Sequence, residues 1–386
     1  MGRVDPELTA EQQALREAVR AFAEEVVAPA AAGYDEREEF PLEVVRRAAE
    51  MGLFGIPFPE RWGGQGGDLF SFCIALEEVA RYDSSVAITL EAAVGLAANP
   101  ILRYGTDGQR ERWLVPMTKG EAIGAFALTE PGGGSDAHAI RTTARLEDGE
   151  WVLDGSKAFI TNSGTPITSV ILVAARDEQA GDVSTILVPA GTPGMTVGPS
   201  YRKVGWRASD THELAFEGCR VPASNLLGER GRGYSQFLET LTDGRVAIAA
   251  LSVGLARGCL EESVRYAGER EAFGRPIGAF EAIRFKLADM KVGVETGRLA
   301  YQRAAWLRDA GRPYATEASI AKLYASEVAV SAAREAVQVH GGYGYVEDFP
   351  VARFYRDAKV LEIGEGTSEI QRLLIARSLG LPDPDA

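Results

Sequence analysis

The sequence predicts an α+β fold that is mainly α, with helical regions on either side of a small β-rich middle. Three observations carry this. Apolar residues recur at helical spacing through residues 1–120. Short β-branched runs with hairpin signals fill residues 121–227. Long Ala-, Glu-, Arg- and Leu-rich runs, broken only at glycines and prolines, fill residues 228–386. With 386 residues, the chain is too long for one ordinary core, so these three zones are read as an N-terminal helical domain, a central β-domain and a C-terminal helical domain.

The elements follow in order. Thr9 with Gln12 forms a capping box. Leu15, Val19, Phe22 and Val26 then share a helical face, and Pro29 is expected to end it. Further helices are expected over 42–51, 70–82 and 88–104, with a glycine-rich loop at 63–67. Asp148-Gly149 and Asp154-Gly155 read as hairpin turns. Strands are expected at 151–153, 170–173, 185–188 and 214–216, with Pro189, Pro193, Pro199 and Pro222 in the loops. The C-terminal helices are interrupted at 273–276, 311–313 and 341–344. Two prolines in the last six residues predict a frayed tail.

Composition narrows the function. There are 41 basic and 55 acidic side chains, a formal charge of −14. That argues against a nucleic-acid partner, which needs surplus Lys and Arg. Cys73, Cys219 and Cys259 have no paired spacing and read as buried or neutral thiols in a cytoplasmic protein. His138, His212 and His340 are isolated, so no metal is expected. The N-terminus lacks the apolar core of a signal peptide. No stretch reads as membrane-spanning, and the Ala-rich run 92–98 is too short.

Two constellations carry chemistry. Residues 126–137 read FALTEPGGGSDA. Three consecutive glycines let backbone N–H groups approach a bulky ligand, and Thr129 and Ser135 add hydroxyls. Alone, the triplet reads rather as a flexible surface turn. The second runs QVHGGYGY from Gln338, then RDAKVLEIGEGTSEIQR from Arg356 to Arg372. Glu365 lies between two glycines, just before a helical run. It reads either as a desolvated base or as a capping glutamate. Glu77-Glu78 and the acidic run 35–39 need no catalytic role.

Taken together, TEPGGGSDA, RDAKVLEIGEGTSEIQR, QVHGGYGY and REAFGRPI resemble the signatures of the acyl-CoA dehydrogenases, in order and nearly end to end. The resemblance implies a C-terminal four-helix bundle and non-covalent FAD. It implies an acyl-CoA substrate dehydrogenated to a trans-2-enoyl-CoA in fatty acid or amino acid catabolism. It further implies an electron-transfer flavoprotein as acceptor and a homotetramer built as a dimer of dimers. Glu365 would take the α-proton while the β-hydride goes to the flavin. Phe126, Leu128, Thr129, Gly134, Ser135, Phe159, Ile160, Thr161, Thr367 and Glu369 would hold FAD. Arg270, Phe273, Gln338, Val339, Gly341 and Gly342 would reach the FAD of a neighbouring subunit. Ser135, Arg245 and Gly366 would meet acyl-CoA.

Four positions depart from the family pattern. Phe159 stands where Trp is usual, Gly133 where Ala is common, Thr242 where many members have Asp, and Glu281 where Gln is usual. Some relatives carry the base on the residue before the Arg245 position. Here that residue is Gly244, so the resemblance selects Glu365. An oxygen-reactive member of the same fold and a degenerate binding scaffold remain as rival readings. Rapid oxygen consumption would favour the first, absence of flavin the second.

Overall fold

The computed structural model describes residues 8–380. The expectations for the first six residues and for the tail beyond 380 lie outside them. The N-terminal part contains helices α1 (Ala10–Phe22), α2 (Ala28–Arg37), α3 (Leu42–Glu50), α4 (Leu69–Ala80), α5 (Ser84–Glu91), α6 (Asn99–Tyr104), α7 (Asp107–Gln109) and α8 (Val115–Thr118). Both halves of the Thr9–Gln12 capping box form. Pro29, however, does not end the first helix. A π-helical segment, Ala23–Val27, joins α1 to α2, and Pro29 falls in the first turn of α2, where its missing N–H is tolerated.

A second π segment, Ala92–Ala98, joins α5 to α6 into one helical path over Ser84–Tyr104. This corrects the expectation that no stretch is long and apolar enough to span a bilayer; the run 92–98 is short by itself but is part of this longer path. The path is 21 residues long and apolar enough to do so, but 89% of its most apolar window is buried inside the protein. It is a core helix.

The middle part is a seven-stranded mixed sheet of β1 (Ile123–Ala127), β2 (Thr143–Glu147), β3 (Glu150–Thr161), β4 (Thr168–Asp177), β5 (Val183–Pro189), β6 (Met195–Ser200) and β7 (Thr211–Pro222). Its order is β1-β4-β2-β3-β7-β6, with β5 also paired to β4. All four expected strands are present; β1, β2 and β6 were not anticipated. Asp148-Gly149 makes the β2–β3 hairpin, with both residues at positive φ. Asp154-Gly155 does not turn the chain. It is a bulge within β3, where Asp154 Oδ1 accepts from the Gly218 amide at 2.7 Å.

The C-terminal part opens with α9 (Gly233–Glu269), continues through the small hairpin β8 (Glu271–Ala272) and β9 (Arg275–Pro276), and returns along α10 (Glu281–Asp309) and α11 (Ala315–His340). The shorter α12 (Pro350–Ala358) and α13 (Ser368–Ser378) pack on α11 and complete the bundle. One apolar core runs from α4 and α5 into α9, α10 and α11. Its charged seam is Glu77 and Glu78, both buried and paired with Arg20, Arg257 and Arg298. The three cysteines are buried free thiols.

Candidate active site

Glu365 sits in the turn between α12 and α13 with φ 53, and Gly366 follows at φ 95. A non-glycine residue in this left-handed region stores roughly 1–3 kcal/mol of strain. Several bonds hold the turn. Lys322, fully buried on α11, donates Nζ to the Gly366 carbonyl at 2.7 Å, and Gln371 Nε2 donates to the same oxygen at 3.0 Å. Thr367 caps α13 by accepting from the Ile370 amide at 3.3 Å. The resulting geometry aims the Glu365 side chain inward, against α9.

Both Glu365 carboxylate oxygens are buried and receive no N–H or hydroxyl donor from the usual partners. Gly244 of α9 lies opposite. A methyl group added there would overlap Glu365 Oε2 and lie 3.2 Å from Leu96 Cδ2. Positions 244 and 365 therefore compete for one space. Arg245, the next residue, is buried, leaves its Nε unpartnered and rests Nη1 on Thr242 Oγ1 at 3.4 Å. The adjacent Asp243 points away into an ionic cluster with Arg103, Arg308 and Tyr314. It cannot substitute for the Asp that Thr242 replaces.

Burial raises Glu365 above the ordinary carboxylate range, and Glu91, Lys322 and Arg245 pull it partly back. Burial pushes Lys322 down to about 8 against the field of Glu365. The result is a desolvated carboxylate with two nearby cations, which suits a base that must hold a proton transiently.

The glycine loop is built on a buried ion pair. Glu130, inside TEPGGGSDA, accepts from the amides of Arg141 (2.8 Å) and Thr142 (3.0 Å) and from Lys157 Nζ (2.7 Å). Lys157 also donates to the Leu128 carbonyl at 3.1 Å. The Ala158 amide donates to the Thr129 carbonyl at 2.9 Å, which lays the loop against β3. Thr129 is thereby brought beside the stretch Phe159-Ile160-Thr161, while the Phe126 ring packs on Phe237 of α9 at 4.3 Å between centroids. Leu128 and Ile160 are buried, so a ligand could meet only their backbone. Phe159 is the opposite: at φ 58, with its ring 65% exposed and stacked on Tyr201 at 4.9 Å.

A flavin fits this donor set. The hydroxyls of Thr129, Ser135 and Thr161 make no hydrogen bond among the described residues. No neighbouring atom comes closer than 3.8 Å to the space a side chain would take at Gly132 and Gly134, whereas Gly133 commits its N–H and C=O to Glu130 at 3.1 and 3.2 Å, and Phe159 offers a flat apolar face.

A second group lies elsewhere. Arg270, Phe273, Gln338, Gly341 and Gly342 are exposed where α9 ends and α11 ends. The Arg270 guanidinium stands 5.7 Å from the Tyr343 ring. Phe273 is 95% exposed at φ 51. Val339 is buried and has only backbone to offer. Arg270 lies 25 positions along the α9 direction from Arg245, or roughly 35–40 Å at helical rise. Within one chain the two groups cannot act on the same atoms. Glu369 is exposed in the first turn of α13, and Glu281 is exposed at the start of α10.

Sequence reasoning missed Glu91, Lys322, Glu130 and Lys157. Of these only Glu91 carried a signal, as the lone charge of an otherwise uncharged helix; Lys157 and Lys322 share their elements with other charges, and Glu130 lies in a loop beside Asp136.

The chain was then compared with known proteins. Family models described as the acyl-CoA dehydrogenase N-terminal, middle and C-terminal domains match residues 9–121, 125–219 and 231–380. It is 45% identical to the mitochondrial short-chain specific acyl-CoA dehydrogenase of Rattus norvegicus, over 97% of this chain and 91% of that protein. The butyryl-CoA dehydrogenase structure from Megasphaera elsdenii superposes with a TM-score of 0.94 at 41% identity, covering 98% of this chain and all of that one. A chain in the structure of the electron transferring flavoprotein of Acidaminococcus fermentans superposes with a TM-score of 0.95 at 40% identity, again covering 98% and 100%. An acyl-CoA dehydrogenase from Bacillus anthracis complexed with FAD gives 0.91 at 33% identity, covering 97% of this chain and 67% of that one.

Proposed function

The chain belongs to the acyl-CoA dehydrogenase family, FAD-dependent oxidoreductases acting on the CH–CH bond of acyl-CoA, and from that premise we propose that Glu365 is its catalytic base. The carrying observation is the buried Glu365 carboxylate, without an N–H or hydroxyl donor, facing Gly244, where a methyl group would displace it. The α-proton of a thioester is weakly acidic. Removing it takes a positioned base and donors for the developing enolate oxygen. Burial raises the basicity of Glu365, while Lys322 and Arg245 keep its ionised form accessible. The Glu365 amide, in the strained turn, is the donor assigned to the thioester oxygen. FAD, when bound, supplies the acceptor for the β-hydride. Thr129, Ser135, Thr161 and the backbone at Gly132 and Gly134 hold it on one side of the base. Arg245, Gly366 and Ser135 meet the CoA thioester.

The acyl group is short, on the precedent of the butyryl-CoA dehydrogenase and short-chain specific relatives. The electron acceptor is an electron-transfer flavoprotein. The active form is a homotetramer, because Arg270, Phe273, Gln338, Gly341 and Gly342 are exposed and would complete a neighbour's FAD site. Phe285, Val292, Leu299 and Trp306, seven residues apart on α10, form an exposed apolar stripe suited to another copy. Light scattering that gave a flavin-saturated monomer would overturn that assignment.

The test of the base is Glu365→Gln. Butyryl-CoA should still bind and perturb the flavin spectrum, while anaerobic flavin reduction slows by roughly 10²–10⁴. Near-normal reduction would defeat the assignment.

A further inference from the structure

Over residues 84–102, Glu91 is the sole charged side chain. It is fully buried at the last position of α5, immediately before the π segment Ala92–Ala98. The packing around it is specific: a methyl group added at Gly95 would sit 2.6 Å from Glu91 Oε1. Neither carboxylate oxygen has an N–H or hydroxyl donor. An isolated ionised carboxylate in such a place is very costly, so the group must be paired or neutral.

The charged surroundings are unequal. Glu365, from the turn before α13, is the one ionisable group acting on Glu91 among the described residues. Glu365 itself faces Lys322 from α11 and Arg245 from α9. Tyr314 acts on Arg245, and Glu362 and Glu369 act on Lys322. The cations thus favour ionisation of Glu365 and leave Glu91 without one. The four carboxyl oxygens of Glu91 and Glu365 are buried with no donor. The space beside Gly244 is bounded by both Glu365 Oε2 and Leu96, next to the Gly95 on which Glu91 rests, and a single proton on Glu91 resolves the conflict.

We propose that Glu91 is a positioning residue for Glu365: its neutral carboxyl donates a hydrogen bond to the Glu365 carboxylate in the substrate-free enzyme, holding the base ionised and aimed. The proton stays on Glu91 and only the hydrogen bond crosses. Burial and the neighbouring carboxylate push Glu91 well above the usual range, while the bond from Glu91 draws Glu365 down. The inference rests on the reading of Glu365 as the base, and its test separates the two.

Two variants of the holoenzyme are compared. Glu91→Gln keeps an N–H donor; Glu91→Leu removes it. Loss of the donor should raise the pKa of Glu365. The acidic limb of anaerobic flavin reduction by butyryl-CoA should therefore move to higher pH in Glu91→Leu, by about one pH unit. In Glu91→Gln it should stay near the wild-type position. An acidic limb in Glu91→Leu that is unmoved or moves down overturns the proposal, as does equal behaviour of the two variants. A second readout does not use turnover. Infrared spectra of ¹³C-glutamate-labelled holoenzyme at neutral pH should contain a buried protonated-carboxyl band that Glu91→Gln abolishes. Its loss supports the pair even if Glu365→Gln reduces flavin normally. Its persistence in Glu91→Gln overturns the pair even if Glu365→Gln is inactive.

Discussion

The surroundings of Glu365 and the exposed rim at Arg270 use the same local device to opposite ends. Each contains a non-glycine residue in left-handed backbone, Glu365 at φ 53 and Phe273 at φ 51. The Glu365 turn is tied down by Lys322 and Gln371, and its side chain is driven into a closed space shared with Glu91, Arg245 and Gly244. The Phe273 turn projects its ring into solvent beside Arg270, Gln338 and the bare backbone of Gly341 and Gly342. One region is complete within a single chain. The other leaves Arg270, Phe273 and Gln338 exposed at its rim. The difference separates two tasks: proton chemistry needs water excluded by one fold, whereas holding an extended cofactor can be divided between copies.

The contrast breaks most sharply at Gly244. If the gap between α9 and the Glu365 carboxylate has no room for a methyl group, Gly244→Ala should displace Glu365 while the rim stays intact. Misplacement of a reacting group by about 1 Å can cost 10²-fold. We expect stopped-flow reduction to slow by about that factor with FAD content unchanged. A rate near wild type would mean that the space is looser than its geometry indicates.

How far the sequence carries the same contrast depends on what neighbours decide. The Gly-Glu-Gly turn and Gly244 are legible because glycine marks places where backbone or space is constrained. The exposed glycines at 341 and 342 are legible for the same reason. Glu91 is not legible as a partner of Glu365, since the two are 274 positions apart in the chain and only packing brings them together. Its solitary charge in an apolar helix was the available signal. Lys157 was hidden by strand alternation, because a bulge at β3 turns it inward to Glu130. Asp154-Gly155 was misread as a turn because the same dipeptide serves hairpins and bulges. Pro29 was misread as a stop because π turns leave no signature in local propensity.

A smaller effect is expected at the rim. Arg270→Ala removes an exposed guanidinium suited to a neighbour's pyrophosphate. Loss of one charge-assisted bond of about 1.5–3 kcal/mol should weaken FAD retention about tenfold or more, read by flavin loss on dilution. Flavin reduction in FAD-saturated protein should be little changed. An equal fall in both would mean that the rim and the base are not separable.

The smallest effect is a pH dependence of stability from Lys322. Burial lowers it to about 8, whereas an unfolded lysine titrates near 10.4. Between these values the unfolded chain binds more protons, so this contribution rises with pH and is lost as pH falls through about 8. Lys322→Met should flatten that rise in thermal midpoints measured across pH 7.5–9.5, a window estimated from the same pKa difference. An unchanged slope would assign it to other groups.

The π segment between α5 and α6 has an evolutionary consequence. A π turn is equivalent to one residue inserted into an α-helix. Removing one residue between positions 92 and 98 would restore the ordinary hydrogen-bond ladder with the two flanking halves still facing as they do now, because the wider π turn is what absorbs the extra residue. The ends of the path, Glu91 included, would stay docked in the core while residues inside the segment, Gly95 and Leu96 among them, changed their facing relative to Glu365. A single-codon insertion or deletion could therefore remodel the wall of this site, a route that a comparison of aligned substitutions would overlook.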